Sequence, residues 1–169
     1  DRLARMIDDA GATRTSLVPT QLVRWIDHLQ AHDRMPNLQA IYVGGSRIPE
    51  VVFERALDLI GPRIGVLYGM TEAPICCYLA PHELADRAQR AARMESVGRP
   101  LSGYRVRVAD SGSDDASGEV LVQGGNVMAG YWQNDQATNE TLRDGWLHTG
   151  DLGTFDRDGR LAIVGRLKD

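Results

Sequence analysis

Hydrophobic and polar residues along the first half of the chain follow the periods of helices and buried strands in turn. Apolar residues recur at helical spacing in PTQLVRWIDHLQ (19–30) and PEVVFERALDLIGP (49–62), which predicts two helices, each with one buried face. Pro49 suits a first helical turn, and Gly61-Pro62 ends the second helix. The buried faces comprise Leu22, Val23, Trp25, Ile26 and Leu29, and then Val52, Phe53, Ala56, Leu57 and Ile60.

Short apolar runs separate these helices. They are ATRTSLVP, LQAIYVGG, RIGVLYG and PICCYLAP, and each predicts a buried strand. Strands that alternate with helices at this pitch imply right-handed crossovers and a largely parallel sheet.

After about Glu95, the spacing of apolar residues changes from the period of helices to that of strands. In YRVRVAD, three apolar residues alternate with Arg105 and Arg107, which predicts a half-buried antiparallel strand. SGSDDASG (111–118) predicts a solvated turn, GEVLVQGG a returning strand and NDQATNETLRDG a short helix. GWLHTGD and LGTFDRDGRLAIVGR predict further short strands, with Asp158-Gly159 as a hairpin turn.

The fold class predicted from this pattern is α/β. A mostly parallel sheet with flanking helices occupies residues 1–95, and a small distorted antiparallel β-barrel-like subdomain occupies residues 96–167. The length of 169 residues suits one average domain or two small ones.

Charge and cysteine content narrow the function classes. The net charge of -4 does not favour a nucleic-acid partner. Cys76 and Cys77 are adjacent, so in a strand they point to opposite faces and form a poor metal pair. No signal peptide or membrane-spanning apolar run is present in these residues, and we expect a cytoplasmic location. The opening DRLARMIDDAG reads as a helix already under way, and we expect a piece of a longer protein.

Four polar, glycine-bearing segments follow apolar strands: GGS (44–46), YGMTE (68–72), TGD (149–151) and GRLKD (165–169). Ligands bind at the carboxyl ends of strands in parallel sheets, where glycine lets the backbone approach them closely. Tyr68 can stack on a flat ring, and Thr71 can donate to a phosphate. Glu72 suits a hard divalent cation, Asp151 can accept from a diol such as ribose, and Arg166 can pair with an oxyanion.

Each of these segments also has a plain structural explanation. Gly-Gly after a strand is usually a turn, Tyr-Gly is often a packed aromatic, and Thr-Glu can cap the next segment. Thr-Gly-Asp is a common turn composition, and a charged end is usually solvated. Their occurrence together, in order, favours a ligand site.

The segments YVGGSRIPE, VLYGMTEAP, SVGRPLSGYRVRV and GEVLVQGGNVMAGYWQNDQATNETLRDGWLHTGDLGTFDRDGRLAIVGRLKD resemble consecutive core motifs of the acyl-adenylate-forming enzymes. That superfamily contains acyl- and aryl-CoA synthetases, peptide synthetase adenylation domains and firefly luciferase. The resemblance covers nearly the whole chain and implies a two-step reaction. A small carboxylic acid attacks the α-phosphate of ATP, with Mg²⁺ as cofactor, and coenzyme A then takes the acyl group.

The resemblance also implies roles for single residues. Thr71, Glu72 and Arg166 would be catalytic: Thr71 contacts phosphate, Glu72 binds magnesium, and Arg166 reaches the ribose and places the phosphate. Asp151 would hold the ribose hydroxyls. The other nucleotide-binding residues would be Gly44, Gly45, Ser46, Tyr68, Gly69 and Ile163, and the acyl pocket would be bordered by Gly69, Met70, Ala73 and Pro74.

The end of the chain has a counterpart in the same family. Lys168 matches the hinge before a small C-terminal lid, so residues 168–169 would begin that hinge, with Asp169 on the lid side. The Ser/Thr/Gly-rich phosphate loop and the lysine of the lid are absent from the 169 residues. We therefore expect this chain alone to be inactive, and we expect it to form a dimer through the apolar face of its α/β half.

The function predicted is that of an acyl- or aryl-CoA synthetase, which TNETLRDGWLHTGDLG favours over the peptide synthetase branch. A peptide synthetase-type adenylation domain and a non-catalytic nucleotide-binding module on the same scaffold are the alternatives. A plain structural α/β domain is the third.

Overall fold

The computed structural model describes residues 2–32, 37–109 and 117–168. The chain divides into two compact units, one formed by residues 1–67 and 79–94 and the other by residues 68–78 and 95–169. The predicted turn at 111–118, except for its last two residues, and Asp169 lie outside the described residues. The sequence-based boundary at residue 95 differs from this division, because residues 68–78 belong to the second unit.

The first unit combines helices with parallel strands. Its elements are α1 (Arg2–Asp9), β1 (Arg14–Leu17), α2 (Pro19–His32), β2 (Ala40–Val43), α3 (Glu50–Ile60), the start of β3 (Ile64–Met70), a 3-10 helix (Pro81–Leu84) and α4 (Arg87–Met94). Strand β1 pairs parallel with β2, and β2 pairs parallel with β3. The α/β character predicted for this half is confirmed.

The two predicted amphipathic helices bury most of their apolar faces. In α2, Leu22, Trp25, Ile26 and Leu29 are buried, and in α3, Phe53, Ala56, Leu57 and Ile60 are buried. The predicted faces were slightly too wide, because Val23 and Val52 are only half-buried. Pro49 immediately precedes α3, and its carbonyl accepts the Phe53 N–H at 2.9 Å.

The second unit is built mainly from antiparallel strands. After the end of β3 come β4 (Ala73–Leu79), β5 (Arg99–Pro100), β6 (Tyr104–Val108), β7 (Gly118–Gly124), α5 (Asp135–Thr141), β8 (Leu142–Arg143), β9 (Trp146–Phe155) and β10 (Leu161–Arg166). Four of these strands form a sheet in the order β10-β9-β7-β6, and β8 also pairs with β9. The predicted alternation along β6 is confirmed, with Arg105 and Arg107 exposed.

The core of the second unit explains why residues 68–78 belong to it. Ala73, Cys76 and Cys77 of β4 are fully buried. They share one hydrophobic cluster with residues of β7, β9 and β10, namely Val120, Val122, Leu147 and Leu161. Both cysteines are free and buried, as predicted for small apolar residues of a strand.

Strand β9 corrects one prediction. The sequence predicted separate short strands at GWLHTGD and LGTFDRDGRLAIVGR, but β9 is one strand from Trp146 to Phe155 that runs through the HTGD segment. The turn that follows it includes Asp158-Gly159, and Gly159 has a φ of 76°. Among the described residues, no helix has the length and apolar character that a membrane crossing requires.

Strands β3 and β4 approach each other closely at Gly69, and a substitution there tests how much this close packing contributes to stability. A Cβ at this position would lie 2.3 Å from the Ile75 backbone nitrogen and 2.8 Å from the Ala73 carbonyl oxygen. Because backbone atoms cannot give way as a flexible side chain can, we expect Gly69→Ala to lower the free energy of unfolding by about 1–3 kcal/mol. Urea denaturation would measure the change. Gly165→Ala is the matched control, because a Cβ there meets no atom within 4 Å; equal losses in the two variants would contradict the crowding argument.

Candidate functional site

A bulge in β9 creates the central feature of the site. Opposite β7, a single residue, Val120, faces three residues of β9, Thr149–Asp151; the flanking pairs are Leu121–His148 and Glu119–Leu152. Gly150 has a φ of 72°, which glycine adopts without strain. The Thr149 hydroxyl donates to the Val120 carbonyl at 2.7 Å and accepts the Asp151 N–H at 3.1 Å. Such bulges redirect side chains, and this one fixes the position of Asp151.

Two side chains hold the Asp151 carboxylate, which is buried. The Tyr68 hydroxyl donates to Asp151 Oδ2 at 2.8 Å, and Arg166 Nε lies 2.8 Å from Oδ1. Arg166 pairs with Asp151 across the β9–β10 ladder, although most of its side chain is exposed. Three residues that the sequence predicted for the nucleotide therefore meet at one carboxylate.

Tyr68 remains a neutral donor over a wide pH range. Burial of the ring, reinforced by the hydrogen bond to Asp151, raises the pKa of Tyr68 well above its usual value of about 10. A phenol donates to a carboxylate without adding a positive charge. Each carboxylate oxygen has a second lone pair, so Asp151 retains acceptor capacity for a hydroxyl-bearing ligand.

A second carboxylate, that of Glu72, is also held by a tyrosine. Glu72 lies in the turn between β3 and β4 beside the exposed Thr71, and its Oε1 accepts the Tyr131 hydroxyl at 2.7 Å. This hydrogen bond is the main reason why the pKa of Tyr131 is raised. The Glu72 carbonyl accepts the Met128 N–H at 2.8 Å, so the turn is also fixed through the backbone.

Tyr131 was not assigned a role from the sequence. Its backbone N–H donates to Thr138 Oγ1 at 2.9 Å, and Asn134 caps α5 by accepting the Ala137 N–H at 3.0 Å. The capped helix thus anchors the segment that carries Tyr131. The residue lies within the GYW part of a quoted motif, but no spacing rule links it to a glutamate 59 positions earlier.

The predicted acyl-pocket residues lie at the β3–β4 turn. Gly69 and Met70 end β3, and Ala73 and Pro74 begin β4. The Pro74 carbonyl accepts the Tyr104 hydroxyl at 2.8 Å. Ile75 follows with a φ of 46°, which is rare for a β-branched residue, and the residue is 45% exposed.

The remaining predicted site residues lie on β10, just after β10 and just after β2. Ile163 is half-buried in β10 and packs against the hydrophobic core of the second unit. Lys168 is exposed just after β10, and the preceding Leu167 N–H donates to the Gly150 carbonyl at 2.8 Å. Gly44, Gly45 and Ser46 follow β2 in the first unit, where the Gly44 N–H donates to the Leu17 carbonyl at 3.2 Å.

The oxygen donors at Glu72 fit a magnesium ion that is also bound by the phosphates of a nucleotide. Mg²⁺ in nucleotide sites is commonly held by one or two carboxylates together with phosphate oxygens. The described residues contain no group of three or more His, Cys, Asp or Glu side chains that could hold a metal without a ligand's help. Glu72, with the Thr71 hydroxyl beside it, suits a metal that arrives with phosphate.

A family model and the sequences of known proteins place the chain in the same family. The family model described as AMP-binding enzyme matches residues 1–132. A medium/long-chain-fatty-acid–CoA ligase of Mycobacterium tuberculosis is 37% identical over 98% of the chain, which covers 29% of that protein. A feruloyl-CoA synthase of an Amycolatopsis species is 40% identical over 83% of the chain, again 29% of that protein. The chain thus spans about three tenths of the length of these relatives.

Solved structures show the same fold. The amide bond synthetase McbA from Marinactinospora thermotolerans matches with a TM-score of 0.88 and 32% identity, over 100% of this chain and 34% of that one. An O-succinylbenzoate coenzyme A synthetase from Bacillus subtilis, in complex with ATP and magnesium ion, matches with a TM-score of 0.83 and 27% identity, over 99% of this chain and 34% of that one. With matches over nearly its entire length, this chain belongs to the AMP-binding enzyme family, the acyl-adenylate-forming superfamily.

Proposed function

We propose that residues 1–169 form part of the nucleotide-binding domain of an ATP-dependent acyl- or aryl-CoA ligase, an acid–thiol ligase. The observation that carries this proposal is the Asp151 carboxylate, buried and held by Tyr68 and Arg166 in a family of AMP-binding enzymes. The relatives named above are CoA ligases, which supports coenzyme A as the acceptor.

The proposed reaction has two steps. An oxygen of the carboxylic acid attacks the α-phosphorus of ATP, and pyrophosphate leaves with the electron pair of the broken P–O bond. The coenzyme A thiol, after losing its proton, then attacks the acyl carbon, and AMP leaves. The first step requires the nucleotide to be held in register and the charge on the phosphates to be offset.

Asp151 is the proposed ribose residue. Two neighbouring hydroxyls can donate to the two carboxylate oxygens, which keep free lone pairs beside the bonds from Tyr68 and Arg166. Tyr68 would flank the adenine, with Gly69 beside it, and Arg166 would reach from the ribose to the α-phosphate. Ile163 would pack near the nucleoside, and Gly44, Gly45 and Ser46 would line the adenine and acyl pocket.

Thr71 and Glu72 are proposed for the phosphates. Thr71 would donate its hydroxyl to a phosphate oxygen, and the Glu72 carboxylate would bind Mg²⁺. The bound metal would offset the negative charge on the departing pyrophosphate. A Bacillus subtilis relative was solved with ATP and magnesium ion, which supports this pair of ligands.

The carboxylic acid is proposed to bind against Gly69, Met70, Ala73 and Pro74. Gly69 admits no side chain there, and Ile75 places an exposed apolar group next to this segment. The two relatives are named for fatty acids and for ferulic acid, so the proposal is limited to a carboxylic acid with an apolar portion.

Amide formation is a second candidate for the acceptor step. It is favoured by the match to an amide bond synthetase, which covers the whole chain. A competition between coenzyme A and simple amines, with thioester and amide measured separately, distinguishes the two products. A thioester formed in preference to the amide supports the ligase.

Three further features of the protein and its self-association are also proposed. We propose that the second unit corresponds to a distorted β-barrel-like subdomain, that Lys168 serves as a hinge, and that the protein is cytoplasmic. Self-association of the first unit is proposed because Met6, Val18 and Val51 expose apolar surface, Val51 to 76%.

We predict that Asp151→Asn weakens nucleotide binding by about tenfold. The amide lacks the negative charge, and its NH₂ group cannot accept from Tyr68 or Arg166. Calorimetry with AMP on the whole protein measures the affinity, and Asp144→Asn, at an exposed turn, is the control for lost charge.

A second readout is the pKa of Tyr68, which should fall in Asp151→Asn because the carboxylate no longer stabilises the phenol. Unchanged AMP affinity with a lowered pKa of Tyr68 would confirm the geometry and refute the ribose role.

We predict that Glu72→Gln slows acyl-AMP formation by at least about tenfold while AMP affinity changes little. Magnesium matters when pyrophosphate leaves, and AMP carries no pyrophosphate. Pyrophosphate release measured across a magnesium titration tests this, with the exposed helical variant Glu140→Gln as control. If AMP affinity fell while pyrophosphate release survived, Glu72 would be a structural residue instead.

A further inference from the structure

Glu119 of β7 contacts the bulge from the side opposite to Arg166, and it is not among the residues given a role above. Its side chain is only 16% exposed. Its Oε1 accepts the Gly150 N–H at 3.1 Å, and its Oε2 lies 2.7 Å from His148 Nδ1. Both ends of the carboxylate are therefore engaged by residues immediately before Asp151.

The bulge explains why an acidic side chain is needed at this position. Where three residues of β9 face one residue of β7, the regular ladder cannot pair every amide of β9. Thr149 Oγ1 takes the Asp151 N–H, and the Glu119 carboxylate takes the Gly150 N–H. A half-buried backbone amide without an acceptor would be costly, so Glu119 substitutes for the missing ladder partner.

Two basic side chains keep this carboxylate in place. A carboxylate only accepts hydrogen bonds, so the short contact with His148 requires the proton on Nδ1. Arg143 contributes through its positive charge, with Nη2 at 4.0 Å from Glu119 Oε2. Its Nη2 also lies 2.8 Å from His148 Nδ1, but with the proton on Nδ1 both atoms are donors, so this approach is not a hydrogen bond. Glu119, His148 and Arg143 thus form a brace behind the bulge.

We propose that Glu119 is a positioning residue for nucleotide binding: its bond to the Gly150 amide sets the bulge geometry that aims the Asp151 carboxylate. Glu119 acts through Gly150 and touches no nucleotide atom. The expected effect on the affinity for AMP rests on the proposed function. The structural step, in which Glu119 holds the Gly150 amide, does not rest on it.

The test compares Glu119→Ala with Glu119→Gln in the whole protein, with Gln123→Ala as the matched control. Gln123 lies on the same strand and face, and its bond is to the Gly145 carbonyl outside the bulge. We expect Glu119→Ala to raise the Kd for AMP about tenfold. Glu119→Gln should stay within about threefold of the parent, because its amide oxygen still accepts the Gly150 N–H.

A second readout separates the positioning role from the function. With ¹⁵N-glycine labelling, the Gly150 amide should exchange with solvent faster in Glu119→Ala, but not in Glu119→Gln or Gln123→Ala. If the parent does not bind AMP, the proposed function fails, and the exchange rate alone decides whether Glu119 holds the bulge. Unchanged exchange of the Gly150 amide in Glu119→Ala, or rescue absent in Glu119→Gln with folding intact, would overturn the proposal.

Discussion

A buried carboxylate needs partners for its oxygens, and this constraint governs the arrangement around Asp151. The bulge in β9 turns Asp151 to where Tyr68 and Arg166 can both reach it. Removing the Tyr68 hydroxyl would leave a buried acceptor less well satisfied, at a cost of about 1–3 kcal/mol. Because Arg166 is largely exposed, its pairing contributes less to stability than to fixing the direction of the carboxylate. The same bonds that satisfy Asp151 therefore prepare it for a ligand.

Among the described residues of the second unit, Tyr68 pairs with Asp151 and Tyr131 pairs with Glu72. In both, the phenol donates to a carboxylate from a distant part of the chain, and the pKa of the tyrosine is raised. Burial is the main cause for Tyr68, whereas the hydrogen bond is the main cause for the exposed Tyr131. A neutral donor orients a carboxylate without adding a positive charge, which suits the ribose role proposed for Asp151 and the magnesium role proposed for Glu72.

Sequence periodicity predicted the elements that bury one face, and it missed α4, which buries none. Phe53 and Ile60 mark the stripe of α3, and Arg105 and Arg107 mark the exposed side of β6. By contrast, α4 has no buried residue, so its sequence carries no apolar stripe, and it was not predicted. The polar, glycine-containing HTGD segment resembled a turn, although tertiary pairing on both sides keeps it within β9.

The sequence by itself determined the secondary elements with a buried face, the family, and the residue types Tyr68, Glu72, Asp151 and Arg166 of the site, because these depend on local order along the chain. Tertiary structure alone decided which groups meet. The pairing of Tyr131 with Glu72 and of Glu119 with the Gly150 amide joins strands and loops far apart in sequence. Such contacts follow from strand register and from where a bulge interrupts a ladder, and neither leaves a periodic signal in the sequence.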